Sequence, residues 1–161
     1  MNDDSPGTLR FLPVGLDVRG RDCVVVGGGS VGTRKADTLA RAGADVTVVS
    51  PAVTEELAAR IEAGRICWVS DCFREEHLSG AFLVVAATDD EALNATVARL
   101  AGRRGALVCD ASSADRSAVI FGALLQRDEV TIAVFTGGRD PAQARSTRDK
   151  IGKLLADGRN S

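Results

Sequence analysis

The stretch from Asp22 to Thr38, D-C-V-V-V-G-G-G-S-V-G-T-R-K-A-D-T, restricts the fold more than any other part of the chain. Cys23, Val24, Val25 and Val26 form an apolar run that is β-branched after its first residue and too short for a helix. That is how a strand buried on both faces of a parallel sheet reads. The run ends in Gly27-Gly28-Gly29-Ser30-Val31-Gly32, which fits G-x-G-x-x-G, and helix-compatible residues follow with Ala36, Leu39 and Ala40 on one face. Strand, glycine turn and helix in that order form the context that lifts the motif above a chance match. Gly27 then permits a tight turn, Gly29 lets the backbone approach a pyrophosphate, and Gly32 lets the helix pack close to the strand. The helix amides and dipole favour the anion. The bland alternative is a glycine-rich turn that binds nothing.

A chain of 161 residues predicts one domain with a small appendage. At 45% hydrophobic and 26% charged residues the composition is that of a soluble globular protein. Aromatics are 4% with no Tyr, and 20 basic side chains face 22 acidic ones, so neither base stacking nor overall charge favours a nucleic acid partner. No segment approaches the apolar length of a membrane span, and the acidic start M-N-D-D-S-P-G-T is unlike a secretory signal. Of four cysteines, Cys23 and Cys109 fall in expected core strands, while Cys67 and Cys72 stand near the single histidine, His77. A Cys67/Cys72/His77 metal site is conceivable but weak, so no metal is expected, and a reducing cytoplasmic compartment fits best.

In order, residues 1–8 read as a disordered lead. Phe11 to Leu16 reads as an apolar patch packing on the sheet edge. Strands are expected at Val46–Val49, Ile66–Val69, Ala81–Ala87 and Ala106–Cys109, with helices from Thr54 to Ala63 and from Glu91 to Arg104, the latter capped by Thr88 or Asp89. The pattern then changes. Ala118–Leu125 and Val130–Phe135 read as an antiparallel pair joined by Gln126–Glu129, an apolar hairpin that needs a cover, most simply a two-fold partner chain. A last helix runs from Ala142 to Leu155.

Three separated motifs, V-V-V-G-G-G-S-V-G-T-R-K-A, V-V-A-A-T-D-D-E-A-L-N and T-I-A-V-F-T-G-G-R-D-P, occur in the order found in a known family. Over residues 11–155 the chain resembles the precorrin-2 dehydrogenase module of siroheme synthases. Those enzymes oxidise precorrin-2 to sirohydrochlorin with NAD, and some also insert ferrous iron. The resemblance implies an α/β, Rossmann-like doubly wound parallel sheet over 9–115, followed over 116–161 by a small C-terminal dimerisation segment and helix. It implies an NAD site built from Gly27, Gly28, Gly29, Ser30, Val31, Ser50, Pro51, Ala52, Thr88 and Asp89. Thr136, Gly137, Gly138 and Arg139 would lie toward the tetrapyrrole substrate. The family's N-V-V-D stretch, whose Asp is taken as the general acid/base, falls on Cys109-Asp110-Ala111-Ser112 when aligned without gaps from T-G-G. Ser112 then stands at the Asp position. Asp110 takes the role if the loop shifts by two residues, and Asp115 is a more distant candidate.

The chemistry agrees with that assignment. A polycarboxylate substrate that gives a hydride to nicotinamide and a proton to a base needs positioning, a base and cations for its rim. Asp110 is the expected base and Ser112 a substrate or water contact. Among Arg116, Arg127, Arg139, Arg145 and Arg148, Arg139 is the preferred carboxylate partner for its place beside the glycines. His77 reads as a surface residue. Ser50 stands where a dinucleotide site selective for NAD usually has an acid. Ser50 tolerates a 2′-phosphate that Arg34 or Lys35 could approach, and the resemblance favours NAD. Two rivals remain: a carrier or sensor that binds nucleotide and tetrapyrrole without turnover, and a potassium-channel-type regulatory domain. The T-G-G-R-D-P segment and the missing acid argue against the second.

Overall fold

The structure, a computed structural model, describes residues 9–157, so the lead expected at 1–8 lies outside the described residues. Two compact units emerge, divided within the chain at Pro13/Val14 and Val119/Ile120. The unit over 14–119 holds a five-stranded sheet of β1 (Asp22–Val26), β2 (Asp45–Val49), β3 (Cys67–Val69), β4 (Leu83–Ala86) and β5 (Leu107–Asp110) in the order β3-β2-β1-β4-β5. Every pairing is parallel. Helices α1 (Ser30–Arg41), α2 (Glu55–Glu62) and α3 (Glu91–Arg103) connect them, and a short 3-10 turn at Glu75–Leu78 precedes β4.

Alternation along these strands produces two apolar layers. Val24, Val26, Val84, Ala86 and Val108 cluster with Val97, Ala98 and Ala101 of α3. The intervening Val25 faces α1, because a Cβ added at Gly32 would lie 3.7 Å from its methyl. Each buried valine contributes on the order of 1.5–3 kcal/mol, and strands covered on both sides need no polar face. The chain leaves β1 for β2 on one side and reaches β4 on the other, so the strand order reverses beside β1. Open α/β sheets bind ligands at such a reversal, outside the carboxyl ends of the strands.

Residues 120–157 carry the second unit. β6 (Ala123–Arg127) and β7 (Val130–Val134) pair antiparallel through a turn at Asp128 and Glu129, with Asp128 at φ 53°. α4 (Pro141–Asp157) packs on them, Leu125 lying 3.6 Å from a Cβ built at Gly152. Strand structure begins only at Ala123, so the expectation for 118–122 fails: Ala118 and Val119 instead donate their amides to Val108 O of β5. The patch expected on the sheet edge is corrected too, since Leu12 and Val14 are 77% and 68% exposed. Among the described residues no helix is long and apolar enough to cross a membrane.

Candidate dinucleotide and proton-handling site

Three glycines of the loop after β1 are forced by backbone geometry. Gly27 has φ 115°, and a Cβ there would lie 2.3 Å from Ala87 O, on the segment leaving β4. A Cβ at Gly32 would come within 2.0 Å of Gly27 O, which is why α1 can start so close to β1. Gly28 is crowded by the loop after β2, with Ala52 O 2.2 Å from its Cβ position and the Ser50 hydroxyl at 3.0 Å. Gly28 O in turn accepts the Thr54 amide at 3.0 Å. Gly29 differs. It is exposed, its φ of −77° suits any residue, and a Cβ there would meet nothing within 4 Å.

That open space lies in front of the first turn of α1. Thr54 caps α2 and Asp90 caps α3, but no side chain caps α1, whose N-cap is Gly29. The orphan amides of a helix start must meet water or a ligand, and the aligned dipole favours an anion there. These residues fit a dinucleotide diphosphate. Thr33 steadies the floor, its hydroxyl 2.8 Å from both Gly29 O and the Thr54 hydroxyl. Beneath the loop after β2, Trp68 donates its indole N–H to Ser50 O at 2.9 Å, placing the single tryptophan against the candidate site.

A second cluster joins the carboxyl ends of β4 and β5. Asp110 closes β5 with its side chain fully buried, and Arg116 donates from Nε to its Oδ2 at 2.6 Å. Its Oδ1 accepts the Ser112 amide at 2.9 Å and the Ser112 hydroxyl at 2.6 Å. Burial opposes its charge, but the hydrogen bonds from Ser112 and Arg116 outweigh that and hold the carboxyl below the usual range. Arg116 also reaches Glu91 Oε1 at 3.3 Å. Behind Ser112 stands Asn94, 1% exposed on the apolar face of α3. Asn94 Nδ2 donates to Thr88 O at 3.0 Å and to Ser112 Oγ at 3.2 Å, while Oδ1 accepts the Thr88 amide at 3.0 Å and its hydroxyl at 2.7 Å.

A family model described as "Putative NAD(P)-binding" matches residues 14–123. The chain belongs to that NAD(P)-binding family. Among curated proteins, "Siroheme synthase 1" of Pectobacterium atrosepticum is 44% identical over 147 residues, which are 91% of this chain and 31% of that protein. "Siroheme synthase" of Photobacterium profundum is 39% identical over the same shares. The chain thus spans about a third of the length of the curated relatives it matches. A solved structure, "SirC, precorrin-2 dehydrogenase", superposes with a TM-score of 0.77 at 29% identity, covering 89% of this chain and 71% of that one.

Within this NAD(P)-binding chain, the glycine loop, Ser30, Val31, Ser50, Pro51, Ala52, Thr88 and Asp89 all belong to the segments that leave β1, β2 and β4 at their carboxyl ends. Gly28 packs on the loop after β2, so its lack of a side chain serves that loop as much as any ligand. Asp90, rather than Thr88 or Asp89, caps α3 through the Leu93 amide at 3.0 Å. Lys35 is half-buried on α1 and burial pushes its ammonium pKa down, which makes it less suited than Arg34 to a 2′-phosphate. Arg34 is exposed. His77 is no surface residue, having an 11% exposed side chain whose Nδ1 accepts the Arg74 amide at 3.0 Å. Among the described residues no three of His, Cys, Asp or Glu are grouped to hold a metal ion.

Thr136, Gly137, Gly138 and Arg139 form a turn into α4. Gly137 and Gly138 have positive φ, the Arg139 amide donates to Thr136 O, and Thr136 Oγ1 accepts the Asp140 amide. The residue that sequence reasoning missed is Asn94. A signal existed: an amide side chain at the head of the buried stripe Val97, Ala98, Ala101 requires partners.

Proposed function

We propose that this chain is an NAD-dependent precorrin-2 dehydrogenase that oxidises precorrin-2 to sirohydrochlorin, acting as a homodimer in the cytoplasm. The observation that carries the reading is the reach of the likeness to SirC. At 89% of the chain it must extend past the 14–119 unit into the hairpin and α4, which a general dinucleotide-binding resemblance would not require.

Bound NAD supplies the acceptor for the hydride, and the remaining tasks fall to the chain. The amides of Ser30 and Val31 hold the diphosphate at the start of α1, and Ser50, Pro51 and Ala52 line the adenosine side. Ser50 in place of an acid leaves the ribose to a neutral hydroxyl. Thr88 and Asp89 border the nicotinamide side. Asp110 and Ser112 handle the proton. Ser112 Oγ faces the substrate, and the bond it accepts from Arg116, at 3.3 Å, is long enough to exchange for a substrate or water contact. The depressed pKa of Asp110 keeps it ionised, so that it orients Ser112 but is itself a weak base, and the substrate proton leaves to water held at the Ser112 hydroxyl. Thr136, Gly137, Gly138 and Arg139 serve the carboxylate rim.

Anaerobic mixing of protein, precorrin-2 and NAD tests this: sirohydrochlorin absorbance should grow with one NADH formed per product. One observation favours the rival of binding without turnover, namely that Asp110 already accepts from Ser112 and Arg116. Tight binding of both ligands with no product would establish that rival.

Self-association is expected through the hairpin, where Leu124 and Val130 are 42% and 58% exposed. Leu124→Asp should weaken a dimer at least about 100-fold, because it removes ~1.5–3 kcal/mol of apolar burial and adds a charge to be desolvated. Sedimentation velocity reads the outcome, and a wild-type chain that is monomeric at all concentrations would remove the proposal.

A further inference from the structure

We propose that Asn94 is a positioning residue for the proton-handling loop, fixing the Ser112 hydroxyl on Asp110 and tying the segment after β5 to the segment after β4. The inference rests on the reading of Asp110 and Ser112 given above. It begins from the placement of a polar side chain, 1% exposed, on a helix face otherwise made of Val97, Ala98 and Ala101. An amide in that setting must find all its partners or destabilise the fold.

The partners Asn94 finds are specific. None belongs to its own helix. Three contacts go to Thr88, two to its backbone and one to its hydroxyl, where the chain leaves β4, and one goes to Ser112, where it leaves β5. The Thr88 amide can only donate and the Thr88 carbonyl can only accept, so the orientation of the Asn94 amide follows from the backbone. Nδ2 must face Ser112, and Ser112 must accept. Arg116 donates to the same oxygen at 3.3 Å, so both lone pairs of the hydroxyl are engaged and its one hydrogen is left for Asp110 Oδ1 at 2.6 Å. Asn94 thereby sets both where Ser112 stands and which way its hydrogen points. A hydrophobic residue of similar size would fill the core and leave one lone pair of the hydroxyl unpaired, with Asp110 alone to hold its hydrogen.

Asn94→Asp keeps the shape and the acceptor for the Thr88 amide, but it removes the donor to Ser112 and to the Thr88 carbonyl. Hydrogen exchange by mass spectrometry on the NAD-saturated protein should show residues 111–117 exchanging at least about 10-fold faster, with β4 unchanged. Turnover of precorrin-2 should fall about 10-fold or more while the dissociation constant for NAD stays within about 3-fold. The double variant Asn94→Asp/Ser112→Ala should be no slower than Ser112→Ala alone, since a residue acting through Ser112 has nothing left to act on. Ser112→Ala also severs the bond from the loop side without touching the helix core, and should give the same rise in exchange at 111–117 if Asn94→Asp does not fold. Unchanged exchange at 111–117 in both variants would overturn the proposal, as would multiplicative losses in the double variant. If the wild-type protein binds NAD but makes no sirohydrochlorin, the dehydrogenase reading fails, and the exchange measurement still decides whether Asn94 positions Ser112.

Discussion

Gly29→Ala should leave the protein folded and weaken NAD binding at least about 100-fold. The backbone at Gly29, φ −77° and ψ −171°, is open to alanine, and a Cβ there touches nothing of the protein within 4 Å. Losing a glycine N-cap for alanine costs at most about 1 kcal/mol, offset by ~0.4–1 kcal/mol from a less flexible unfolded chain. The melting temperature should therefore move by only a few degrees. The added methyl stands where a diphosphate would approach the helix amides. Loss of two charge-assisted hydrogen bonds, ~1.5–3 kcal/mol each, is on the order of 100-fold or more in affinity. Gly28→Ala and Gly32→Ala should behave in the opposite way, since their Cβ atoms would meet backbone oxygens at 2.2 and 2.0 Å. Backbone has no rotamer to yield, so about 3 kcal/mol or more of stability should go in each. Thermal melting reads the fold, and Trp68 fluorescence, sensed through its bond to Ser50, reads NAD. Unimpaired binding by Gly29→Ala would mean that the diphosphate does not sit at this helix start.

Asp110→Asn should cost about 2–3 kcal/mol in urea unfolding at pH 7, since it breaks a buried charge-assisted pair with Arg116 and weakens both Ser112 bonds. The cost stays below that of a fully buried pair because the Arg116 side chain is 32% exposed. The pH dependence follows from the depressed folded pKa. A carboxyl whose pKa is lower folded than unfolded stabilises fully above its unfolded value near 4, and that contribution is lost as pH falls through the folded value. The gap between wild type and Asp110→Asn should thus be constant from pH 5 to 8 and shrink below about pH 4. Turnover should drop at least about 100-fold if this pair handles the proton. A gap that persists unchanged at low pH would show that the carboxylate charge is not what stabilises this corner.

The doubly wound unit was readable because its determinants are local. Apolar runs with little polar face, three of them followed by a glycine turn or a capped helix, allow little besides a parallel sheet with helices on both sides. The roles of Gly27 and Gly32 were equally readable, since the motif encodes a tight turn and a close helix start. Elsewhere a local reading erred. Ala118 to Gly122 has strand composition, but Ala118 and Val119 are held by Val108 O of β5, a partner that no neighbouring residue announces.

The order of residues alone decided the sheet, the glycine turn and the family, because strand burial and turn chemistry are written in runs of a few neighbours. Tertiary structure alone decided that Thr88, Asn94, Ser112, Asp110 and Arg116 form one hydrogen-bonded corner. Those five come from three segments up to 28 positions apart, from Thr88 to Arg116. Only the parallel register of β4 and β5, Ala86 beside Asp110, brings their ends together. A buried amide must satisfy every donor and acceptor it carries, so the partners it finds depend on the packed fold and not on its place in the chain.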